Sequence, residues 1–226
     1  MENRSGFGGL ASLFSTLTVL GFARLSPVSA ADSLPTITVR VYNYARVKAA
    51  ILADAEREAT RIFAAAGLET TWLECPLDAA EYETHPACHK PAGGADIVLR
   101  IVPPSMAKHL PFDHTKVGFA FISKAGRGGT LAVVFHHRVQ QFARGEESAE
   151  SLAIGRAAVH EIGHLLLRTE VHSSRGIMRG DWHGRDFRDA TAILNFMPEQ
   201  AEHLRTEVRE RQAQFPAPAG HPNAKE

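Results

Sequence analysis

The chain has 226 residues, and its 25 Lys and Arg balance its 25 Asp and Glu, for a formal net charge of zero. The charges are dispersed, with no basic stripe and no interleaving of aromatic and basic residues. That pattern argues against nucleic acid as a partner and against strong steering to an anionic surface.

The elements are predicted in chain order. Arg4 gives a positive start, 10–22 is mostly apolar but short for a membrane span, and Val28-Ser29-Ala30 forms a small-residue cleavage site. This predicts a signal peptide over 1–30, with an uncleaved anchor as the alternative. Either way the domain lies outside the cytoplasm, secreted or periplasmic, with no stable membrane domain if the signal is cleaved. About 195 residues remain, enough for one domain with a core, predicted over 31–213.

Residues 36–43 alternate, with Ile37, Val39 and Val41 on one side, and predict a strand. Residues 45–66 place Val47, Ile51, Ala55, Ala59, Ile62 and Ala66 on one helical face, with Gly67 as the stop. Strands follow at 69–74 around Trp72 and at 96–102, the latter ended by Pro103-Pro104. Between them, Cys75 and Cys88 flank a turn-rich segment. In an oxidising compartment the pair reads as a disulfide; the rival is a second metal site using Cys88 with His85 and His89. Further strands are predicted at 117–122 and 131–135, separated by a glycine-rich turn, and then a short helix or loop at 137–144. Helices are predicted at 186–196 and from Pro198 to about 212. The end, 214–226, is proline-rich without an apolar pattern and is expected to be a disordered tail.

The most informative segment lies at 148–168, a proline-free stretch with Ile154, Ala158, Ile162, Leu165 and Leu166 at helical spacing and Ser148 as a candidate N-cap. It contains His160-Glu161-Ile162-Gly163-His164, an H-E-x-x-H motif. Residues four apart share a helix face, so both imidazoles can reach one metal ion. Glu161 can then act as general base toward a metal-activated water. Gly163 lowers helix propensity, which predicts a close backbone neighbour. His172 is the candidate third ligand, because catalytic zinc usually keeps three protein ligands and one open position. Glu170 and Asp181 are the fallback ligands. Gly176-Ile177-Met178 follows as a tight turn.

The stretch 159–178 resembles the metzincin clan of zinc metallopeptidases, whose pattern is H-E-x-x-H-x-x-G-x-x-H followed by a methionine turn. The resemblance implies that His160 and His164 are ligands, that Glu161 is the general base and that Met178 packs beneath the metal. It also implies an α+β, zincin-like fold: a mixed, mostly parallel sheet with an antiparallel edge strand, an active-site helix and C-terminal helices. The edge strand would be 117–122, with the backbone of Gly118, Phe119 and Ala120 pairing with an extended substrate. The chain also departs from the pattern. The family's glycine falls at Leu167, its third histidine at Glu170 and the tyrosine after the methionine at Gly180. With no glycine between His164 and His172, Arg168 or Thr169 must supply the left-handed turn.

Weaker candidates are His136 and His137 for lining the cleft, His183 and Trp182 for facing the metal, and Arg179 for contacting a substrate carboxylate. The leading functional expectation is peptide-bond hydrolysis by an exported, zinc-dependent endopeptidase acting on a peptide or protein. The alternatives are a hydrolase of cell-wall peptide amides and a non-catalytic zinc-binding relative. The oligomeric state is left open.

Overall fold

Along residues 36–43 every second side chain is apolar, and the strand they form, β1 (Thr36–Asn43), buries Ile37, Val39 and Val41 completely or nearly so. In this computed structural model, which describes residues 33–110, 115–122 and 129–215, β1 lies inside a five-stranded sheet of order β2-β1-β3-β5-β4. The other strands are β2 (Glu69–Glu74), β3 (Asp96–Val102), β4 (Gly118–Phe121) and β5 (Leu131–Phe135). Three pairings are parallel, and β4 alone runs antiparallel, with Gly118 opposite Val134 and Phe121 opposite Leu131. The architecture is the mixed, mostly parallel sheet with an antiparallel edge strand that the resemblance implies.

The helices are α1 (Ala49–Ala65), α2 (Ala79–Tyr82), α3 (Pro86–His89), α4 (Pro104–Ala107), α5 (His136–Ala143), α6 (Glu147–Leu167), α7 (Gly184–Arg188) and α8 (Pro198–Gln214). The motif helix α6 packs against α1, α5, α7, α8, β4 and β5. It is therefore central, which explains an apolar surface nearly all round. The main core joins β1, β3 and β5 residues such as Val39, Leu99 and Val134 to Ile62 and Phe63 of α1 and to Ile154, Ile162 and Leu166 of α6. A smaller cluster joins Val102, Val133 and Phe135 to Ala107 of α4.

Several boundaries differ from expectation for local reasons. Helix α1 begins at Ala49 rather than 45, because Asn43 clamps Val47 with two hydrogen bonds of 2.8 and 2.9 Å and Arg46 adopts a φ of 53°. Helix α6 starts at Glu147 with Glu146 in the cap position, so Ser148 lies inside the first turn and does not cap it. The expected helix at 186–196 is confined to Gly184–Arg188. Beyond it, the side chain of Asp189 accepts the Thr191 N–H at 2.8 Å, a local turn that competes with helix. Helix α8 continues to Gln214, and Gly94 donates its N–H to the Phe215 carbonyl at 3.0 Å.

Cys75 and Cys88 form a disulfide with a Cα–Cα distance of 5.8 Å. The bond ties the exit of β2 to α3, and both sulfurs are thereby removed from the rival metal reading with His85 and His89. No helix among the described residues is long and apolar enough to cross a membrane. The predicted signal peptide at 1–30 and the tail beyond residue 215 lie outside the described residues.

Candidate metal centre

His160 and His164 are buried on one face of α6. Their Nε2 atoms stand 3.1 Å apart, and the Nε2 of His172 joins them at 3.2 Å from His160 and 3.3 Å from His164. Tetrahedral ligands held ~2.0–2.1 Å from one zinc ion stand about 3.3–3.4 Å from each other. The triangle therefore has the size of three corners of such a shell. Among the described residues these three form the one His, Cys, Asp or Glu cluster able to hold a metal ion.

The tautomers point the same way. His160 Nδ1 bonds the Ile177 carbonyl at 2.8 Å, and His164 Nδ1 bonds the Thr169 carbonyl at 2.7 Å. With Nδ1 donating, Nε2 carries a bare lone pair, the arrangement a ligating imidazole needs. Lone pairs facing each other at this separation repel unless a cation lies between them. Burial and then the neighbouring His164 push His160 down to about 3, and burial also depresses His164 and His172. All three are held neutral, as metal ligation requires.

Delivery of the third ligand depends on a left-handed residue. Arg168 closes α6 with φ 52° and ψ 35°, its N–H bonded to the His164 carbonyl. A non-glycine residue there is strained by about 1–2 kcal/mol. Its guanidinium is held by Glu207 of α8, with Nε–Oε1 and Nη2–Oε2 both at 2.9 Å. Arg211, one turn further along α8, bonds the same carboxylate at 2.6 Å and reaches the Leu165 carbonyl at 2.8 Å. An ion-pair clamp thus holds the turn that the sequence could supply no glycine for.

The methionine turn closes the floor. Gly176 has φ 74°, Ser173 donates to the Met178 carbonyl at 2.8 Å, and Met178 is fully buried. A Cβ on Gly163 would stand 2.5 Å from Met178 Sδ, so the missing side chain is what seats the methionine against α6. The close neighbour predicted for Gly163 is thus a side chain and not backbone.

Glu161 is buried, and burial pushes its carboxyl up to about 8. Above it runs β4. A Cβ on Gly118 would stand 2.9 Å from Glu161 Cγ and 2.4 Å from the Val133 carbonyl. Only glycine lets the edge strand descend onto this carboxylate. A cleft of about 540 Å³ lies between β4 and α6, bordered by the 115–120 backbone, the three histidines, Glu161 and Glu170. Its far wall is aromatic: Phe142 stacks on Phe187 at 4.4 Å, Trp182 lies 4.9 Å from Phe187, and Trp182 meets His160 edge-on at 5.2 Å.

The remaining candidates divide. Trp182 and Arg179 line the cleft, but the Arg179 guanidinium is paired with Asp186. His136 bonds Glu150 at 2.6 Å and His137 packs on Phe135, and neither lines the cleft. His183 is an exposed cap of α7, and Asp181 is exposed outside the histidine cluster. Sequence reasoning missed Phe142, Phe187 and Lys116 on the cleft wall and the fully buried Arg156 behind it. No local pattern marks any of them.

Fold and site together define an α+β domain with a three-histidine cluster able to hold a metal ion, close to an antiparallel edge strand. No family model and no curated protein matches the chain. Among solved structures, the crystal structure of archaemetzincin from Methanopyrus kandleri is similar, at 14% identity and a TM-score of 0.47, covering 77% of this chain and 97% of that one.

Proposed function

We propose that the protein is an exported, zinc-dependent metallopeptidase of metzincin-like kind that cleaves peptide bonds within extended chains. The observation that carries this reading is the convergence of three imidazole Nε2 atoms at 3.1, 3.2 and 3.3 Å beside a buried carboxylate. His160, His164 and His172 would hold the zinc ion, which when bound lowers the pKa of water and polarises a carbonyl.

The chain's own residues supply the rest. Glu161 takes a proton from the attacking water and returns it to the leaving amine. The edge strand β4 offers backbone groups to an extended substrate. The wall of Phe142, Trp182 and Phe187 receives an apolar side chain. Export is supported by the signal-like pattern of 1–30 and by the Cys75–Cys88 disulfide, since such bonds persist in oxidising compartments.

Metal analysis of purified protein is expected to give about one equivalent of zinc. Against a broad peptide library, Glu161→Gln is expected to keep zinc and fold and to lose about 10²–10⁴-fold in turnover. Wild-type turnover in Glu161→Gln would end the reading. Unchanged zinc content in His172→Ala would move the third ligand to Glu170 or Asp181. One observation favours a second reading, a metal-binding relative without turnover: Gly180 stands where the family carries a tyrosine, and a Cβ there would lie 3.1 Å from His172 Cγ. Zinc binding with no cleavage across the library would select that reading.

A further inference from the structure

The cleft holds a cation that the proposed chemistry has not used. Among the described residues lining it, the two permanent cations are Lys116 and Arg179. Arg179 is neutralised by Asp186. Lys116 is exposed and has no ion-pair partner among the described residues.

Its position follows from the sheet. The Phe135 N–H bonds the Val117 carbonyl at 2.8 Å, which extends the β4–β5 ladder back to the residue beside Lys116. Lys116 is two residues before Gly118, the glycine that rests on Glu161. Lys116 sits in the bend that leads into β4 and lines the cleft together with the three histidines and Glu161.

That placement costs metal affinity, because an ammonium beside three imidazoles repels the dication they would hold. Counting charges with a dication bound, two positive from the metal and one from Lys116, against one negative each from Glu161 and Glu170, leave a net one positive. A site so charged favours a ligand on which negative charge develops. Gly180, where the metzincin pattern carries a tyrosine, has no side-chain donor to offer such a ligand.

Resting on the metallopeptidase reading, we propose that Lys116 is the oxyanion-stabilising residue of this cleft, donating from its ammonium to the carbonyl oxygen of the scissile bond. As the water oxygen bonds the carbonyl carbon, its proton passes to Glu161 and the C=O π pair moves onto the carbonyl oxygen. That oxygen receives the Lys116 hydrogen bond. The C=O bond then reforms as C–N breaks, with the electron pair going to nitrogen and the proton from Glu161 following it.

The test uses the zinc-loaded full chain with Lys116→Met and Lys116→Arg. A phosphinic peptide, tetrahedral and anionic at the reacting position, is titrated calorimetrically beside steady-state kinetics on a cleaved peptide. Zinc stoichiometry and Tm are expected to be unchanged in both variants. Lys116→Met is expected to bind the phosphinic peptide about 10²-fold more weakly and to lose a similar factor in kcat with KM held, and Lys116→Arg is expected to recover part of both. Equal phosphinic affinity in wild type and Lys116→Met would overturn the proposal. So would a loss seen with free C-terminal peptides and absent with amidated ones, which would assign Lys116 to a terminal carboxylate. Wild type that binds zinc and the phosphinic peptide without cleaving anything would sink the catalytic reading while the binding comparison still decides Lys116. Wild type that holds no zinc would remove both.

Discussion

Two regions meet at the three-histidine cluster and are held by different physics. The sheet side, β1 to β5 with α1, rests on backbone ladders and apolar packing between residues such as Val39, Leu99, Val134 and Ile62. The segment from Arg168 to Met197 beneath α6 has little regular structure, and charged side chains hold its backbone. Arg156, fully buried on α6, bonds the carbonyls of Asp186, Asp189 and Ala192 at 2.5, 3.0 and 3.2 Å and pairs with Glu58 at 2.9 Å. Ile177 takes the Asn195 carbonyl at 2.9 Å. A ladder repeats, so its loss at one position is tolerable. A guanidinium serving three carbonyls is a single point of failure. Two of the three clustered histidines come from the repetitive kind of structure and the third from the other kind.

The largest effect expected from this contrast is that of Arg156→Met. It strands three carbonyls, that of Asp186 buried, and part of the Glu58 charge, and should cost about 3–5 kcal/mol in urea denaturation. Zinc affinity should fall with it, since the 186–195 segment supports the methionine turn. A loss below 1 kcal/mol would show that the segment is held by packing instead, on the scale of an ordinary surface change.

On the sheet side, the Cys75→Ala and Cys88→Ala double variant should lose about 3 kcal/mol of stability in the chain-entropy model. It should leave zinc affinity at the wild-type value, because the disulfide ties β2 to α3, away from the cleft. A parallel drop in zinc affinity would erase the distinction between the two regions.

The clamp on Arg168 gives a finer test. Glu207→Gln should weaken zinc binding by about tenfold, the low end for a residue that orients a ligand without touching the metal. Adding Arg168→Gly should restore it, since glycine takes the left-handed conformation without strain. Failure of the restoration, read by competition with a metal-binding dye, would mean that Glu207 acts on the centre by another route.

The smallest effect is the pH dependence of the metal-free protein, because its contributions oppose. His160, pushed down to about 3, and the depressed His164 and His172 bind protons more readily in the unfolded chain, so stability falls as pH drops from 6.5 toward 3. Glu161, pushed up to about 8 by burial, and Glu56, raised to about 7 by burial and the Glu74 charge, bind protons more readily when folded. Their contribution is full below about 4.5 and is lost as pH rises through 7 and 8. Denaturation midpoints in chelator should therefore peak near pH 6.5. Loading zinc should flatten the alkaline arm, because the dication favours the Glu161 carboxylate. An alkaline arm unchanged by zinc would place Glu161 away from the metal.

The features visible in the sequence alone are those governed by neighbours along the chain. Alternation over 36–43 and 131–135 marks strands because the side-chain period of a strand is two, and the four-residue spacing of His160 and His164 puts them on one face because a helix turns every 3.6 residues. The cysteine pair was readable from spacing and compartment. The limits of the last helices were not, because an apolar pattern at 186–196 competed with carbonyl partners 30 to 36 residues away on Arg156.

What only the tertiary structure decided are the pairings across long stretches of chain: Arg168 with Glu207 at a separation of 39 residues, Gly118 over Glu161, Gly163 against Met178, and Lys116 in one cleft with the histidines. Each is an ordinary residue in its own neighbourhood. Its role comes from a contact that exists only after the sheet and α6 have packed, and no periodicity along the chain encodes such a contact.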